Sequence, residues 1–271
     1  MVIPLLNLSI FMHHSHKFPV APADVPGQGL AAPVARRSFL RYTGASLAVG
    51  GLLLAGCSDD DDKVDPNSGF IDVGSSDTGI LNYAYALEQL EAAFYTQLRS
   101  GSYYTGLAGG SAEKLILDDL YYHEVIHRDF LKLALTAAGA TPLKDLTVNF
   151  SSIDFNSRAP VLATAKAFED LGVAAYNGAG QYIVAPAYLF IAGKIVSVEA
   201  RHAAIIRDLV LENTFVGNDI ATLSSASSSS VASNNAPAGS SLERALSPTE
   251  VVAIANTFLA DGSKLDVSGI R

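Results

Sequence analysis

The sequence predicts an all-α fold: four long helices in two hairpins, joined by a long crossover between helices 2 and 3 and followed by a short C-terminal fifth helix. Apolar residues recur at helical spacing almost throughout residues 80–212, and no convincing series of strands interrupts them. With 271 residues, of which 49% are hydrophobic and 17% charged, the chain is long enough for one substantial core. One globular domain is therefore expected after the N-terminal region.

The first hairpin and the crossover are predicted from caps and from the loss of helical periodicity. The first helix covers residues 80–99, and the second begins after the capping residue Ser111 and ends before Gly139. Residues 140–158 show no sustained helical stripe and are too long for a simple turn between antiparallel helices. They are expected to form the crossover.

The second hairpin is predicted from two prolines. Proline suits the first turn of a helix, so Pro160 and Pro186 are expected to begin helices that run to about residues 184 and 212. These two helices complete the four-helix bundle.

The C-terminal part is predicted to contain an insert and one more helix. Residues 221–241 are rich in serine and are expected to be flexible. Ser247, followed by a proline and then by Glu250, predicts a capped fifth helix to about residue 259. The helical domain is thus predicted over residues 77–271.

Residues 1–56 are predicted to be a leader with an export signal. Residues 35–57 read ARRSFLRYTGASLAVGGLLLAGC, with a twin arginine at Arg36 and Arg37 and a final Cys57. This stretch resembles a bacterial twin-arginine export signal that ends in a lipoprotein processing box. The apolar run is short for a membrane span, so lipidation of Cys57 is preferred over an uncleaved anchor.

The signal implies export and attachment to a membrane through acyl chains on Cys57. Residues 57–76 are predicted to be an acidic tether, and the four aspartates that follow Ser58 also resemble the signal of surface-displayed lipoproteins. The sequence leaves two locations open for the exported protein, the periplasmic face of the membrane and the cell surface. Cys57 is the only cysteine, so no disulfide can form within the chain.

The charge of the remaining chain argues against nucleic acid as a partner. The leader contains four of the 18 basic residues and one of the 27 acidic residues, which leaves a net formal charge of −12. Nucleic-acid-binding surfaces are instead basic.

Charged residues interrupt the apolar stripes of the second and fourth helices. Glu124 and His127 occupy inward positions on the second, and Glu199 and His202 occupy inward positions on the fourth. Residues three apart lie on one helix face, so the two side chains of each pair project the same way.

The first and third helices carry a related pattern of a glutamate and a tyrosine seven residues apart. Glu88 and Tyr95 lie on the inner stripe of the first helix, and Glu169 and Tyr176 on that of the third. Four buried carboxylates without compensation would cost several kcal/mol each. Either they stay protonated or reach water, or two divalent cations lie among them.

These elements resemble the ferritin-like superfamily of di-iron and di-manganese carboxylate proteins. With the segments NYAYALEQLEAAFY and LSPTEVVAIANTF, the chain is most similar to bacterial ferritin-like proteins related to plant desiccation-associated proteins. The resemblance implies two Fe or Mn ions per chain, held by six residues: Glu88, Glu124, His127, Glu169, Glu199 and His202. It favours Glu124 and Glu199 as the bridging carboxylates.

Several nearby residues have less certain roles in the sequence. Glu91 also lies on the inner face and is expected to be an extra ligand or a neighbour of the ligands. Tyr95 and Tyr176 either hydrogen-bond ligand carboxylates or take part in redox chemistry. A surface or packing role is expected for His123. Asp170 is expected to be solvated or paired with a lysine or arginine, and Arg207 is expected to face the outside of the fourth helix.

The resemblance implies a redox protein that acts on oxygen or hydrogen peroxide, as a ferroxidase, a peroxidase or a manganese-catalase-like enzyme in oxidative or desiccation stress. Ferrous iron is a further candidate substrate. The sequence leaves it open whether the protein forms an oligomer. The alternative is a non-catalytic stress-protective or structural bundle with vestigial or no metal. Iron storage is less favoured, because a lipid tether and a flexible insert are awkward for a closed shell.

Overall fold

The computed structural model describes residues 69–221 and 242–271. The predicted leader, the twin arginine, Cys57 and most of the serine-rich insert lie outside the described residues. In the described ranges the fold is mostly helical, and the predicted all-α class is confirmed.

Four long helices and one short one form the fold. The helices are α1 (Ser76–Leu98), α2 (Ala112–Ala137), α3 (Arg158–Ala179), α4 (Pro186–Val210) and α5 (Pro248–Ala255). A single helical turn, Ser102–Thr105, lies between α1 and α2, and 3-10 turns follow α3 at Gly180–Tyr182 and α5 at Asn256–Phe258. Helix α1 packs mainly on α2, and α3 mainly on α4, so the two predicted hairpins are present.

The predicted caps of α2 and α5 are confirmed. The Ser111 side chain accepts a hydrogen bond from the backbone N–H of Lys114, and Gly139 after the helix has a φ of +72°. Ser247 and Glu250 form a reciprocal capping box at the start of α5. These contacts satisfy backbone groups that a helix end leaves open.

The crossover is held against α1 by two amide side chains. The Asn82 side-chain oxygen accepts a hydrogen bond from the N–H of Leu143 at 3.1 Å, and the Gln89 side-chain oxygen accepts one from Leu146 at 2.8 Å. A chain segment without regular structure needs such partners for its backbone.

Helix α3 ends about five residues earlier than predicted. A Cβ atom on Gly178 would lie 1.7 Å from the carbonyl oxygen of Leu246, so the C-terminal chain crosses directly over the end of the helix. The chain then extends before Pro186, as residues before proline prefer. The Asp77 carboxylate fixes this turn by accepting hydrogen bonds from the N–H groups of Val184 and Ala185, both at 2.8 Å.

The predicted tether overlaps a part of the fold. Ile71–Asp72 forms a short strand, β1, which pairs in parallel with β2 (Leu265–Asp266). Val73, which follows β1, is buried. The packed domain therefore begins before residue 77, because the C-terminal chain returns to pair with this segment.

The aromatic part of the core lies between α1, α3 and the crossover. Phe94 contacts Phe150, Phe155 and Phe168 with ring centroids 5.2–6.0 Å apart. None of the helices in residues 69–221 and 242–271 is both long and apolar enough to cross a membrane.

Candidate metal centre

The four long helices bring the six predicted ligand residues together in the middle of the bundle. Their ligand atoms form two groups, and within each group all atoms lie within 4.8 Å of one another. The first group is Glu88, Glu124, His127 and Glu199, and the second is Glu124, Glu169, Glu199 and His202. We call these six residues the carboxylate–imidazole cluster.

Two carboxylates are common to both groups. Glu124 and Glu199 each belong to the first and to the second group, whereas the other four residues belong to one. A carboxylate has two oxygens and can bind two ions at once. The geometry is therefore that of two neighbouring cation positions with Glu124 and Glu199 between them.

The cluster is almost fully buried. The four carboxylates have relative exposures of 0–1%, and the side chains of His202 and His127 have exposures of 4% and 13%. His127 is the most exposed member of the cluster.

Each of the two imidazole rings points one nitrogen, Nδ1, at the carboxylates. His127 Nδ1 lies 2.7 Å from Glu199 Oε1 and 3.5 Å from Glu88 Oε2. His202 Nδ1 lies 2.7 Å from Glu124 Oε1 and 3.5 Å from Glu169 Oε2. Both rings thus offer Nδ1 to the centre of the cluster.

The short distances in the cluster do not have hydrogen-bond geometry. Eight of its buried atoms, including both Nδ1 atoms and both oxygens of Glu124 and Glu199, have no hydrogen-bond partner among the described residues. Buried polar atoms are normally paired, so atoms that converge without pairing are suited to bind a cation. Carboxylate oxygens and imidazole nitrogens together suit Fe and Mn, and the cluster could therefore hold metal ions.

Burial and repulsion raise the pKa values of some carboxyl groups in the cluster, whereas contacts with the histidines lower the pKa of another. Burial raises the pKa of Glu124 and of Glu169, and repulsion from the Glu199 carboxylate adds to both shifts. Burial also acts on Glu199, but its contacts with His127 and His202 outweigh burial and lower its pKa to about 2. Of these three carboxyl groups, Glu199 most strongly favours the charged form.

The imidazoles hold protons when no cation is bound. Burial alone would lower the pKa of His127, but the carboxylates of Glu124, Glu199 and Glu88 outweigh it and raise the pKa to about 12. Neighbouring carboxylates raise the pKa of His202 in the same way, against the effect of its burial. Metal binding must displace these protons, so metal affinity should rise with pH.

Two tyrosines hold ligand carboxylates across the bundle. Tyr95 on α1 donates a hydrogen bond to Glu169 Oε1 at 2.5 Å, and Tyr176 on α3 donates one to Glu88 Oε1 at 2.6 Å. The hydrogen-bonding role considered for these tyrosines is thus present. Burial raises the pKa of both hydroxyls, so they stay protonated donors.

Glu91 breaks the two-fold pattern of the cluster. It is buried, three residues after Glu88, but belongs to neither group of ligand atoms. The equivalent position on α3, three residues after Glu169, is Gly172, whose Cβ would lie 3.0 Å from Glu91 Oε1. Glu91 therefore fills the space that Gly172 leaves, beside the cluster.

His123 contacts a ligand residue, which its position on α2 did not indicate. Its Nδ1 lies 2.8 Å from Nε2 of His202, and the two rings stack with centroids 5.0 Å apart. His123 is exposed, so it connects the far nitrogen of His202 with solvent. Sequence spacing placed it off the inner stripe, and its partner lies on another helix.

The prediction that Arg207 faces outward was wrong, whereas the pairing with a basic side chain that was considered for Asp170 is present. Both are buried, and the Arg207 guanidinium donates to the two carboxylate oxygens of Asp170, each at 2.7 Å. It also donates to the two oxygens of Asp219 at 3.0 and 2.9 Å. We call these three residues the arginine clamp. Facing helices and the segment after α4 create it, and no pattern within one helix reveals it.

The fold and the cluster define a helical bundle whose core carries carboxylates on all four helices and imidazoles on α2 and α4. The ferritin-like domain model matches residues 76–212, from the start of α1 to just beyond α4. The chain belongs to the ferritin-like domain family. A comparison with curated proteins gives no match.

Proposed function

We propose that this protein binds two Fe or Mn ions per chain and uses them in redox chemistry on hydrogen peroxide or oxygen. The observation that carries the proposal is that Glu124 and Glu199 belong to both groups of ligand atoms and have no hydrogen-bond partner for any of their four oxygens among the described residues. Glu88 and His127 would complete one ion position, and Glu169 and His202 the other. Two such ions supply two-electron redox chemistry when bound.

The residues around the cluster fix the orientation of its ligands. Tyr95 and Tyr176 each hold one oxygen of a terminal glutamate, which leaves the other oxygen for a cation. When His202 offers Nδ1 as a ligand, its Nε2 carries the hydrogen and donates to Nδ1 of His123. Such contacts behind the ligands set ring orientation and ligand basicity.

Peroxide disproportionation is the reaction that this chain favours. It converts two hydrogen peroxide molecules into two water molecules and one oxygen molecule, and therefore needs no separate reductant. The chain has one cysteine and so has no Cys-x-x-Cys pair that could hold an electron-transfer iron. Oxidation of ferrous iron by oxygen or peroxide is the second candidate reaction at the same cluster.

We also propose export and membrane attachment through a lipid on Cys57. The support is the sequence of residues 35–57, with Arg36 and Arg37 followed by an apolar run and the cysteine. Twin-arginine export carries folded proteins, which would allow the metal to be loaded before export.

Oxygen evolution from hydrogen peroxide tests the reaction. The full chain loaded with Mn or Fe should release oxygen at an oxygen electrode, and the Glu124→Ala, Glu199→Ala double variant should not. Glu212→Gln changes an exposed glutamate beyond α4 and should match the parent. Loaded parent protein that neither releases oxygen nor oxidises ferrous iron would contradict the proposed activity and favour a non-catalytic bundle.

A further inference from the structure

The two histidines of the carboxylate–imidazole cluster differ in what lies behind their rings. The far nitrogen of His202, Nε2, lies 2.8 Å from Nδ1 of His123, and the two rings stack with an angle of 18° between their planes. No hydrogen bond from another described residue reaches the far nitrogen of His127, whose contacts with the carboxylates are made by Nδ1. Within the described residues, one imidazole is therefore held at both ring nitrogens and the other at one.

The sequence explains this difference between the two histidines. His123 is the residue just before Glu124 on α2, and the residue just before Glu199 on α4 is Val198. The side chain of valine has no atom that donates or accepts a hydrogen bond. Val198 therefore cannot give His127 the contact that His123 gives His202, and the two-fold pattern of the cluster is broken at this position.

The other contacts of the two ion positions are closely matched. Each terminal glutamate is held by one tyrosine, Glu169 by Tyr95 at 2.5 Å and Glu88 by Tyr176 at 2.6 Å. Each imidazole places Nδ1 at 2.7 Å from one oxygen of a shared carboxylate. Glu91, the other departure from the two-fold pattern, belongs to neither group of ligand atoms. The contact behind the imidazole is therefore the feature that distinguishes one position from the other.

A hydrogen-bond partner behind a ligand imidazole strengthens the binding of a cation. The partner fixes the tautomer and the orientation of the ring, and it makes the nitrogen that faces the cation more basic. Removal of such a partner typically lowers metal affinity by about 10- to 100-fold. The position that contains His202 should therefore bind a cation more tightly than the position that contains His127.

We propose that the two ion positions fill in order. The position that contains Glu169 and His202 takes the first ion, and the position that contains Glu88 and His127 takes the second. His123 sets this order as a positioning residue, because it acts on the ion only through the ring of His202. The inference rests on the metal binding proposed above, and it requires no particular reaction at the cluster.

Titration of the full chain with Mn(II) in competition with a coloured chelator measures the two affinities. The parent should bind two ions in steps that differ by about tenfold or more. Electron paramagnetic resonance at one Mn(II) per chain should show isolated ions, and the signal of a coupled pair should appear only with the second ion.

A matched pair of substitutions identifies which position fills first. Glu88 and Glu169 are both terminal glutamates held by a tyrosine, so their replacement removes equivalent ligands. Glu88→Ala should keep the tight step and lose the weak one. Glu169→Ala should lose the tight step and keep the weak one.

Variants of His123 test its positioning role. His123→Leu should weaken the tight step by about 10- to 100-fold and leave the weak step unchanged. His123→Asn keeps a side-chain oxygen that can accept the hydrogen bond from His202, and should retain most of the tight step. Tyr122→Leu changes an exposed neighbour on α2 and should keep both affinities of the parent. Metal-free His123→Leu should unfold in urea like the parent, since a positioning role concerns the bound ion and not the fold.

The possible failures are distinguishable. Two steps of equal affinity in the parent, or a coupled pair already at one Mn(II) per chain, would overturn the order of filling and leave the proposed metal centre intact. A tight step that survives Glu169→Ala but not Glu88→Ala would reverse the order. If His123→Leu weakens both steps equally or neither, His123 is not the residue that sets it. A parent that binds no metal would overturn the proposed function, and this inference with it.

Discussion

Glu169 and Asp170 are neighbours on α3 and are both buried, yet their environments are opposite. Asp170 receives two hydrogen bonds at 2.7 Å from the guanidinium of Arg207. Glu169 lies in one group of ligand atoms with two other carboxylates, those of Glu124 and Glu199, and its Oε2 has no hydrogen-bond partner among the described residues. A buried carboxylate with a matched guanidinium holds the structure together, whereas crowded carboxylates with open oxygens can bind cations.

The two regions show that a buried charged residue can have either a structural role, as Asp170 does, or a functional role, as we propose for Glu169. The arginine clamp joins α3 to α4 and to the chain after α4, and Arg207 lies five residues after His202 on α4. By joining these helices, the clamp should oppose the repulsion between the carboxylates of the cluster. Replacing single residues in the two regions should therefore affect stability and metal binding in opposite ways.

Replacing Arg207 with leucine should cause the largest loss of stability. It leaves Asp170 buried without a positive partner, which should lower the free energy of unfolding by about 3–5 kcal/mol in urea titrations at pH 7. Arg201→Leu removes an exposed arginine that bonds to Ser197 on its own helix, and should change stability by less than about 0.5 kcal/mol. Equal stability of the two variants would contradict a structural role for the clamp.

Removing the tyrosine hydroxyls should weaken metal binding more than folding. Tyr95→Phe and Tyr176→Phe each free a carboxylate oxygen from its hydrogen bond, and metal affinity should fall by about 10- to 100-fold. Competition with a coloured chelator measures this affinity. Tyr188→Phe, outside the cluster, should keep the parent affinity, and an equal loss in all three variants would contradict the orienting role.

Acidification should weaken the clamp through Asp219. Hydrogen bonds from Arg207 lower the pKa of Asp219 to about 2 in the folded protein. The unfolded chain, with an ordinary pKa of about 3.9, takes up the proton more readily, so the stabilisation is present above about pH 4 and is lost towards pH 2. Urea titrations should show the parent more stable than Asp219→Asn at pH 6, with the difference shrinking below pH 4. A constant difference would refute this linkage.

Glu124→Gln should change the stability of the fold least of these variants, and it should abolish metal binding. Because burial and the Glu199 carboxylate raise the pKa of Glu124, the metal-free protein favours its neutral carboxyl form, and glutamine matches that form. Its free energy of unfolding should change by less than about 1 kcal/mol. Asp170→Asn, which breaks the clamp, should lower it by about 3 kcal/mol or more. Similar losses of stability in the two variants would contradict the proposed difference between the cluster and the arginine clamp.

The sequence predicts the cluster because its charged residues occupy helix positions that are normally apolar. Glutamates and histidines on otherwise apolar stripes are visible within each helix, and Glu124 and His127 need no knowledge of a neighbour to stand out. Helix caps such as Ser111 and Ser247 are equally local, and both were predicted. The helical fold follows from the same periodicity, whereas the family was indicated by the resemblance of the motifs and shown by the match to residues 76–212.

Contacts between distant segments could not be predicted in this way. His123 lies off the inner stripe and meets His202, and Arg207 meets Asp170, only because α2, α3 and α4 come together in space. The pairing of Ile71–Asp72 with the C-terminal strand, and the early end of α3 under the chain near Leu246, likewise depend on long-range packing. No periodicity within one segment carries that information.

Elemental analysis of the full chain, purified without chelator, tests the central claim most directly. We expect about two Fe or Mn ions per chain, the number that four carboxylates and two imidazoles suit in a helical bundle. The Glu124→Ala, Glu199→Ala double variant should lose them, and Glu212→Gln should keep them. Parent protein that binds no metal after aerobic and anaerobic loading, or a double variant that binds as much as the parent, would contradict the assignment of the cluster as a metal centre.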